Sequence, residues 1–283
     1  MATRGLVAER DFPGFLRIGC GTFAAATYPE APTWVVQLAS DLTSFLFTFD
    51  DIIAEGLFRF DPEGLRRAAE PYLDIVRGRP TRLSTPHAAA LAELVARATG
   101  DAPPLLRRRL VASFEAYVEG CAREAQWRLR KRSPPLDAYL ELRRGSVAVN
   151  PMMDLMELTH GLFLTEEEFA QPIIRELRRL GSDLSAYVND IQSVEKEEAL
   201  GEVCNAVLVV QHERAIDRGA AYEVVAALHN EDLGRLLRLE ALLTTEREGM
   251  ALALYARSIR QFVHGHYGWI LSSKRYVAEG ARG

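Results

Sequence analysis

Val188-Asn-Asp-Ile-Gln-Ser-Val-Glu-Lys-Glu197 sets an amide at 189, a hydroxyl at 193 and a carboxylate at 197, four residues apart at each step. At 3.6 residues per turn, that spacing stacks Asn189, Ser193 and Glu197 along one stripe of a helix. Three oxygen donors in a row suit a hard divalent cation. Asn and Ser are mediocre inside helices because their side chains compete with the backbone for hydrogen bonds, so finding both in a long periodic segment calls for a reason. The plainer reading of the segment is a surface salt-bridge stripe through Lys196. Asp190, Glu195 and Glu198 are assigned to the outer face.

Outward from this stretch, helical periodicity dominates. Apolar residues recur at helical spacing through Trp34 to Phe58, Leu105 to Leu129, Phe169 to Val194 and Met250 to Leu271, each longer than an average globular helix. Breaks are expected at Arg77-Gly-Arg-Pro80, Gly100-Asp-Ala-Pro-Pro104, Ser133-Pro-Pro135, Asn150-Pro151 and Gly161. None is long enough to be a linker. The expected architecture is an all-α bundle in a single domain over 1–283, with 1–11 and 278–283 as flexible termini.

Composition narrows the function. The 283 residues, 48% of them hydrophobic, can bury one large core. Lys and Arg total 34 against 39 Asp and Glu, a formal charge of −5, which gives no electrostatic case for nucleic acid. An anionic ligand must therefore meet local positive charge or metal. Cys20, Cys121 and Cys204 are too scattered for a disulfide framework or a zinc knuckle, which fits a reducing cytoplasm. No segment has the uninterrupted apolar length of a membrane span. Gly-x-Ser-x-Gly, Walker and dinucleotide fingerprints are absent from the sequence.

A second acidic constellation, Phe47-Thr-Phe-Asp-Asp-Ile-Ile-Ala-Glu55, falls late in an apolar helix. On α-helical geometry Asp51 and Glu55 share a face with Asp50 beside them, so three carboxylates crowd about one and a half turns. Unneutralised, they raise one another's pKa, and a divalent cation removes that problem. The alternative is a solvated helix end before Gly56. His264 and His266 lie ~200° apart on a helix and cannot converge on one ion, so both read as structural or surface residues. Cys204 reads as a core thiol. The run Arg128, Arg130, Lys131 and Arg132 reads as cations facing a helix C-terminus.

Together, an Asp-rich motif followed by Asn-Asp-x-x-Ser-x-x-x-Glu with Lys before the final Glu resembles the bacterial class I terpene synthases. Tyr139-Leu-Glu-Leu-Arg-Arg144 before Gly-Ser-Val resembles that family's diphosphate-sensing segment. Trp269-Ile-Leu-Ser-Ser-Lys-Arg-Tyr276 resembles its closing Arg-Tyr pair, and Asn205-Ala-Val-Leu-Val its segment after the metal helix. The motifs keep the family's order from about residue 12 to 277.

The resemblance implies a class I terpenoid synthase bundle around a central active-site cavity. It implies a carbon–oxygen lyase of secondary metabolism that ionises an allylic isoprenoid diphosphate and rearranges the carbocation. Asp50, Asp51, Asn189, Ser193 and Glu197 would hold three Mg²⁺, with Mn²⁺ as the alternative ion. Arg143, Lys196, Arg275 and Tyr276 would meet the diphosphate. Phe47, Ser146, Val147 and Trp269 are the candidate substrate-binding residues. The family's commonest bacterial substrate is farnesyl diphosphate, ahead of geranyl and geranylgeranyl diphosphates. A homodimer is also implied, although no sequence feature speaks for it.

The chain departs from the pattern in two places. Ala54 stands where a third acid is common and Glu55 follows one residue later, which makes Glu55 an outer-shell partner of the metals rather than a ligand. Ala148 stands where a Gly is common in the hinge. Two rivals remain at this level. A chain-elongating prenyltransferase carries a second Asp-rich motif missing here, and a non-catalytic relative of the fold would have no need of the intact Asn/Ser/Glu stripe.

Overall fold

Pro62, Pro86, Pro104 and Pro172 each stand in the first turn of a helix, where the missing N–H has no partner to lose. Asp61, Thr85 and Asn205 cap helices by accepting the N–H of Gly64, Ala88 and Val207 at 2.8, 3.1 and 2.9 Å. Thr165 and Glu168 form a reciprocal capping box. The computed structural model describes residues 5–243, 249–273 and 275. No strand occurs among them.

In chain order the helices are α1 (Phe12–Leu16), α2 (Cys20–Thr27), α3 (Thr33–Phe49), a π-helical segment (Asp50–Leu57), α4 (Pro62–Arg77), α5 (Pro86–Thr99) and α6 (Pro104–Arg130). There follow α7 (Leu136–Ser146), α8 (Val149–Leu155), α9 (Glu157–His160), α10 (Glu166–Phe169), α11 (Pro172–Ala199), α12 (Ala206–Arg214), α13 (Arg218–Leu243) and α14 (Met250–Ser272). Leu6 is buried and Glu9–Asp11 forms a 3-10 turn, so part of the expected N-terminal arm carries packed structure. Residues 1–4 and 278–283 lie outside the described residues.

α11 is the central element, packed by α7, α8, α12, α13 and α14. α2 bridges α14 and α3, and α6 lies against α4, α7 and α8. The resulting wall encloses a cavity of about 420 Å³. The main apolar core runs through α2–α6, α8, α11 and α14, and a second cluster joins α7, α12 and α13 to the end of α11.

Some boundaries differ from expectation, and α11 runs from Pro172 to Ala199 rather than from Phe169 to Val194. The first long helix is α-helical only to Phe49, and the acids fall on the π segment. The break expected at Asn150-Pro151 falls at Ala148 instead, at φ +58°. Pro151 is then in the first turn of α8, where its missing N–H is tolerated. A non-glycine residue in left-handed backbone is uncommon and costs roughly 1–2 kcal/mol.

Candidate active site

The cavity is polar at the ends of α3, α11 and α14 and apolar along their lengths. Thr43, Leu46 and Phe47 precede Asp50, Asp51 and Glu55 on one side. Asn189, Ser193, Lys196 and Glu197 come from the last turns of α11, and Phe262, His266 and Trp269 precede Arg275 on another side. Arg143, Ser146 and Val147 enter from the α7–α8 corner. Every candidate site residue within the described range thus lines the same space. Tyr276 lies outside the described residues.

The π segment changes the reading of the acids. Its hydrogen bonds span five residues, as from Phe58 N–H to Ile53 O at 3.0 Å. Asp51 is half exposed on this segment (side chain 52%), and the charge of Asp50 bears on Glu55. The expected three-carboxylate cluster does not form. Among the described residues no three His, Cys, Asp or Glu side chains converge as a metal cage. Guanidinium groups meet these acids instead. Arg275 bonds both oxygens of Asp51 at 2.9 and 3.0 Å and stands 3.7 Å from Asp50. Glu55 pairs with Arg59 and Arg128. Gly56 fits the tight segment, since a Cβ there would lie 2.8 Å from the Asp51 carbonyl oxygen.

Asn189, Ser193 and Glu197 keep the stripe expected of them. Asn189 Oδ1 accepts from Arg143 at 2.8 Å, Ser193 Oγ donates to the Asn189 carbonyl at 2.8 Å, and Glu197 accepts from Asn205 at 2.9 Å. Glu195 and Glu198 are exposed as expected. Asp190 is not on the outer face. It is wholly buried (0%), accepting from Tyr139 Oη, from Arg143 at 2.9 Å and from the Ala206 N–H at 2.8 Å. α7 and α12 cover that side of α11, which leaves Glu195 and Glu198, but not Asp190, on the solvated face.

The basic run at the end of α6 is corrected at its first member, while Arg130, Lys131 and Arg132 are exposed at the helix end as expected. Arg128 is buried and lines the cavity, bonded to Glu55, Glu124 and Glu202. Glu124 accepts in turn from Ser146 Oγ and from Arg143 at 3.4 Å. Arg128 and Glu124, with Glu202, Arg59 and Tyr117, were not named as site residues from sequence, Arg128 being read there only as part of the basic run. The signal for the first two is the Glu124–Arg128 pair at i,i+4 inside an otherwise apolar helix face.

Burial shapes the charges. It raises the carboxyl of Asp50, an effect opposed by Arg275 and reinforced by Asp51. It lifts Glu55 to about 8 against the pull of Arg128, and Glu197 to about 7 with help from Asp190. Buried carboxylates held above their ordinary range favour an added cation. Carboxylate, amide and hydroxyl oxygens are the donors that a hard divalent ion takes. Mg²⁺ uses only one or two carboxylates and keeps water for the rest, so the absence of a carboxylate cage does not count against it. The residues present fit the ion.

The apolar wall is aromatic. Phe47 stacks on Trp269 with centroids 6.0 Å apart and planes at 17°, and the Arg275 guanidinium lies 4.1 Å from the Phe47 centroid. His264 is exposed, whereas His266 is buried against Phe23 and Trp269. Cys204 is buried as expected of a core thiol, and it also lines the cavity.

Residues 41–235 match the profile of terpene synthase family 2, C-terminal metal binding. The chain is 31% identical to 10-epi-cubebol synthase of Sorangium cellulosum over 92% of its length and 84% of that protein. It is 26% identical to sesquiterpene synthase 3 of Postia placenta over 96% of its length and 74% of that protein. Germacradien-4-ol synthase from Streptomyces citricolor superposes with a TM-score of 0.77 at 25% identity, covering 94% of this chain and 87% of that one. With its all-α fold and a matched metal-binding region that contains most of the cavity's donors, the chain belongs to the terpene synthase family of enzymes.

Proposed function

We propose that the chain ionises farnesyl diphosphate in the presence of Mg²⁺ and cyclises the resulting cation to a fifteen-carbon terpene. The observation that carries this reading is one cavity with oxygen donors and guanidinium groups at its mouth and aromatic faces along its depth. A relative named as a sesquiterpene synthase supports the chain length.

Asp50, Asn189, Ser193 and Glu197 would hold Mg²⁺, with Asp51 beside them and Glu55 in reserve on Arg128. The bound ions supply Lewis-acid neutralisation of the charge that gathers on the departing diphosphate. Arg143, Lys196 and Arg275 donate to the diphosphate oxygens, joined by Tyr276 as the family resemblance implies. Arg143 has a buried Nε without a hydrogen-bond partner among the described residues, a donor still unspent. Phe47, Phe262 and Trp269 turn aromatic faces to the cation. Ser146 and Val147 shape the wall at the corner, and the apolar lining keeps water from quenching the cation early.

Incubation with farnesyl, geranyl and geranylgeranyl diphosphates, with Mg²⁺ or with EDTA, followed by gas chromatography of the extract, tests this. A cyclic fifteen-carbon product that needs Mg²⁺ and no isopentenyl diphosphate is expected. Chain elongation on adding isopentenyl diphosphate, or no turnover of any of the three, would overturn it.

A further inference from the structure

The cavity wall carries a basic group that none of these steps uses. His266 lies on α14 between Phe262 and Trp269, and all three line the cavity. The imidazole meets the Phe23 ring edge-on (centroids 5.7 Å, planes at 80°) and stacks on Trp269 (5.9 Å, 28°). Two aromatic neighbours thus fix its plane. Among the described residues nothing hydrogen-bonds either ring nitrogen, so a lone pair is left for whatever occupies the cavity. Thr43, another polar side chain of this apolar wall, spends its hydroxyl on the Ala39 carbonyl at 2.8 Å. The lining carboxylates stand at the mouth among arginines, and burial keeps the Cys204 thiol protonated.

We propose that His266 is the base that ends the reaction, taking the proton that the cyclised carbocation loses. This rests on the function proposed above. The C–H bond next to the cationic carbon breaks, and its electron pair becomes the new C=C bond. The proton goes to the free imidazole nitrogen, giving imidazolium and a neutral olefin. On opening, the imidazolium returns its proton to water or to diphosphate. Burial holds the His266 pKa down to about 4, so the ring enters each cycle neutral. A carbocation is a far stronger acid than imidazolium, so so weak a base suffices, and the same weakness makes it quick to reset.

The test is product analysis on His266→Phe and His266→Ala beside wild type. In His266→Phe, the main olefin's share of product falls by about tenfold or more, replaced by alcohols or olefin isomers. Imidazole added to His266→Ala restores the wild-type olefin share, whereas pyrrole, equal in shape but without a basic nitrogen, does not. An unchanged product profile in His266→Phe, or failure of imidazole to do better than pyrrole, overturns the assignment to His266 alone. No diphosphate release by wild type would overturn the underlying function instead.

Discussion

Asp190 and Asn189 are sequence neighbours with opposite duties, one buried under α7 and α12 and the other facing the cavity. Asn189→Ala and Glu197→Ala each remove an oxygen donor at the mouth, and each is expected to cut turnover at least ~100-fold while leaving circular dichroism and the melting temperature near wild type. Wild-type rates in either would remove the metal role. Asp190→Ala instead strips a buried partner from Arg143, and unfolding in urea should show a loss of ~3–5 kcal/mol, a cost Asn189→Ala does not share. The Asn/Ser/Glu stripe was legible in sequence because its spacing alone decides which residues align. The fate of Asp190 was not, since which helices cover that side of α11 is settled by contacts distant in sequence. Arg128 was misread for the same reason, because a basic run at a helix end looks alike whether its first member faces water or a buried Glu124 and Glu202.

Long helices with clear ends were legible because Pro and Gly mark them chemically. α6 and α14 fall within a residue or so of the expected segments. α13 escaped notice because only Ala221, Val225, Leu236 and Leu243 are buried along it, too sparse a stripe to register as periodic. The π segment was illegible because hydrogen bonds that span five residues instead of four reorient the acids without changing the residue types present. Gly56→Ala tests that element: a Cβ set against the Asp51 carbonyl should lower stability by ~1–3 kcal/mol and depress turnover through the displaced acids. An unperturbed variant would mean that the segment does not need its glycine. α14 yields a pH prediction. Burial depresses His266 to about 4, so above pH ~6.5 the ring is neutral in both folded and unfolded chains and contributes no pH dependence. As pH falls from ~6.5 toward 4, only the unfolded chain takes up that proton, and about 3 kcal/mol of stability is lost. The difference in urea midpoint between pH 7.5 and 5 should therefore be smaller in His266→Phe than in wild type. Equal differences would refute the depressed pKa.

At the scale of the whole molecule, two ligand-bearing stretches nearly 140 residues apart in sequence are carried by the π segment and α11 to one cavity mouth. The sequence could order these motifs along the chain, but their meeting depends on α2, α14 and α7 bridging the walls, which no local pattern encodes. Binding to the folded state alone raises apparent stability by ~2.7 kcal/mol at a hundredfold excess over Kd, so a thermal shift reports on the assembled mouth without relying on chemistry. The most direct measurement is the melting temperature with and without Mg²⁺ plus inorganic diphosphate, in wild type, Asp50→Ala and Glu197→Ala. Facing rows predict a shift of several degrees in wild type that needs both ligands together and is lost in each variant. A full wild-type shift in either variant would contradict a single site built from the two rows.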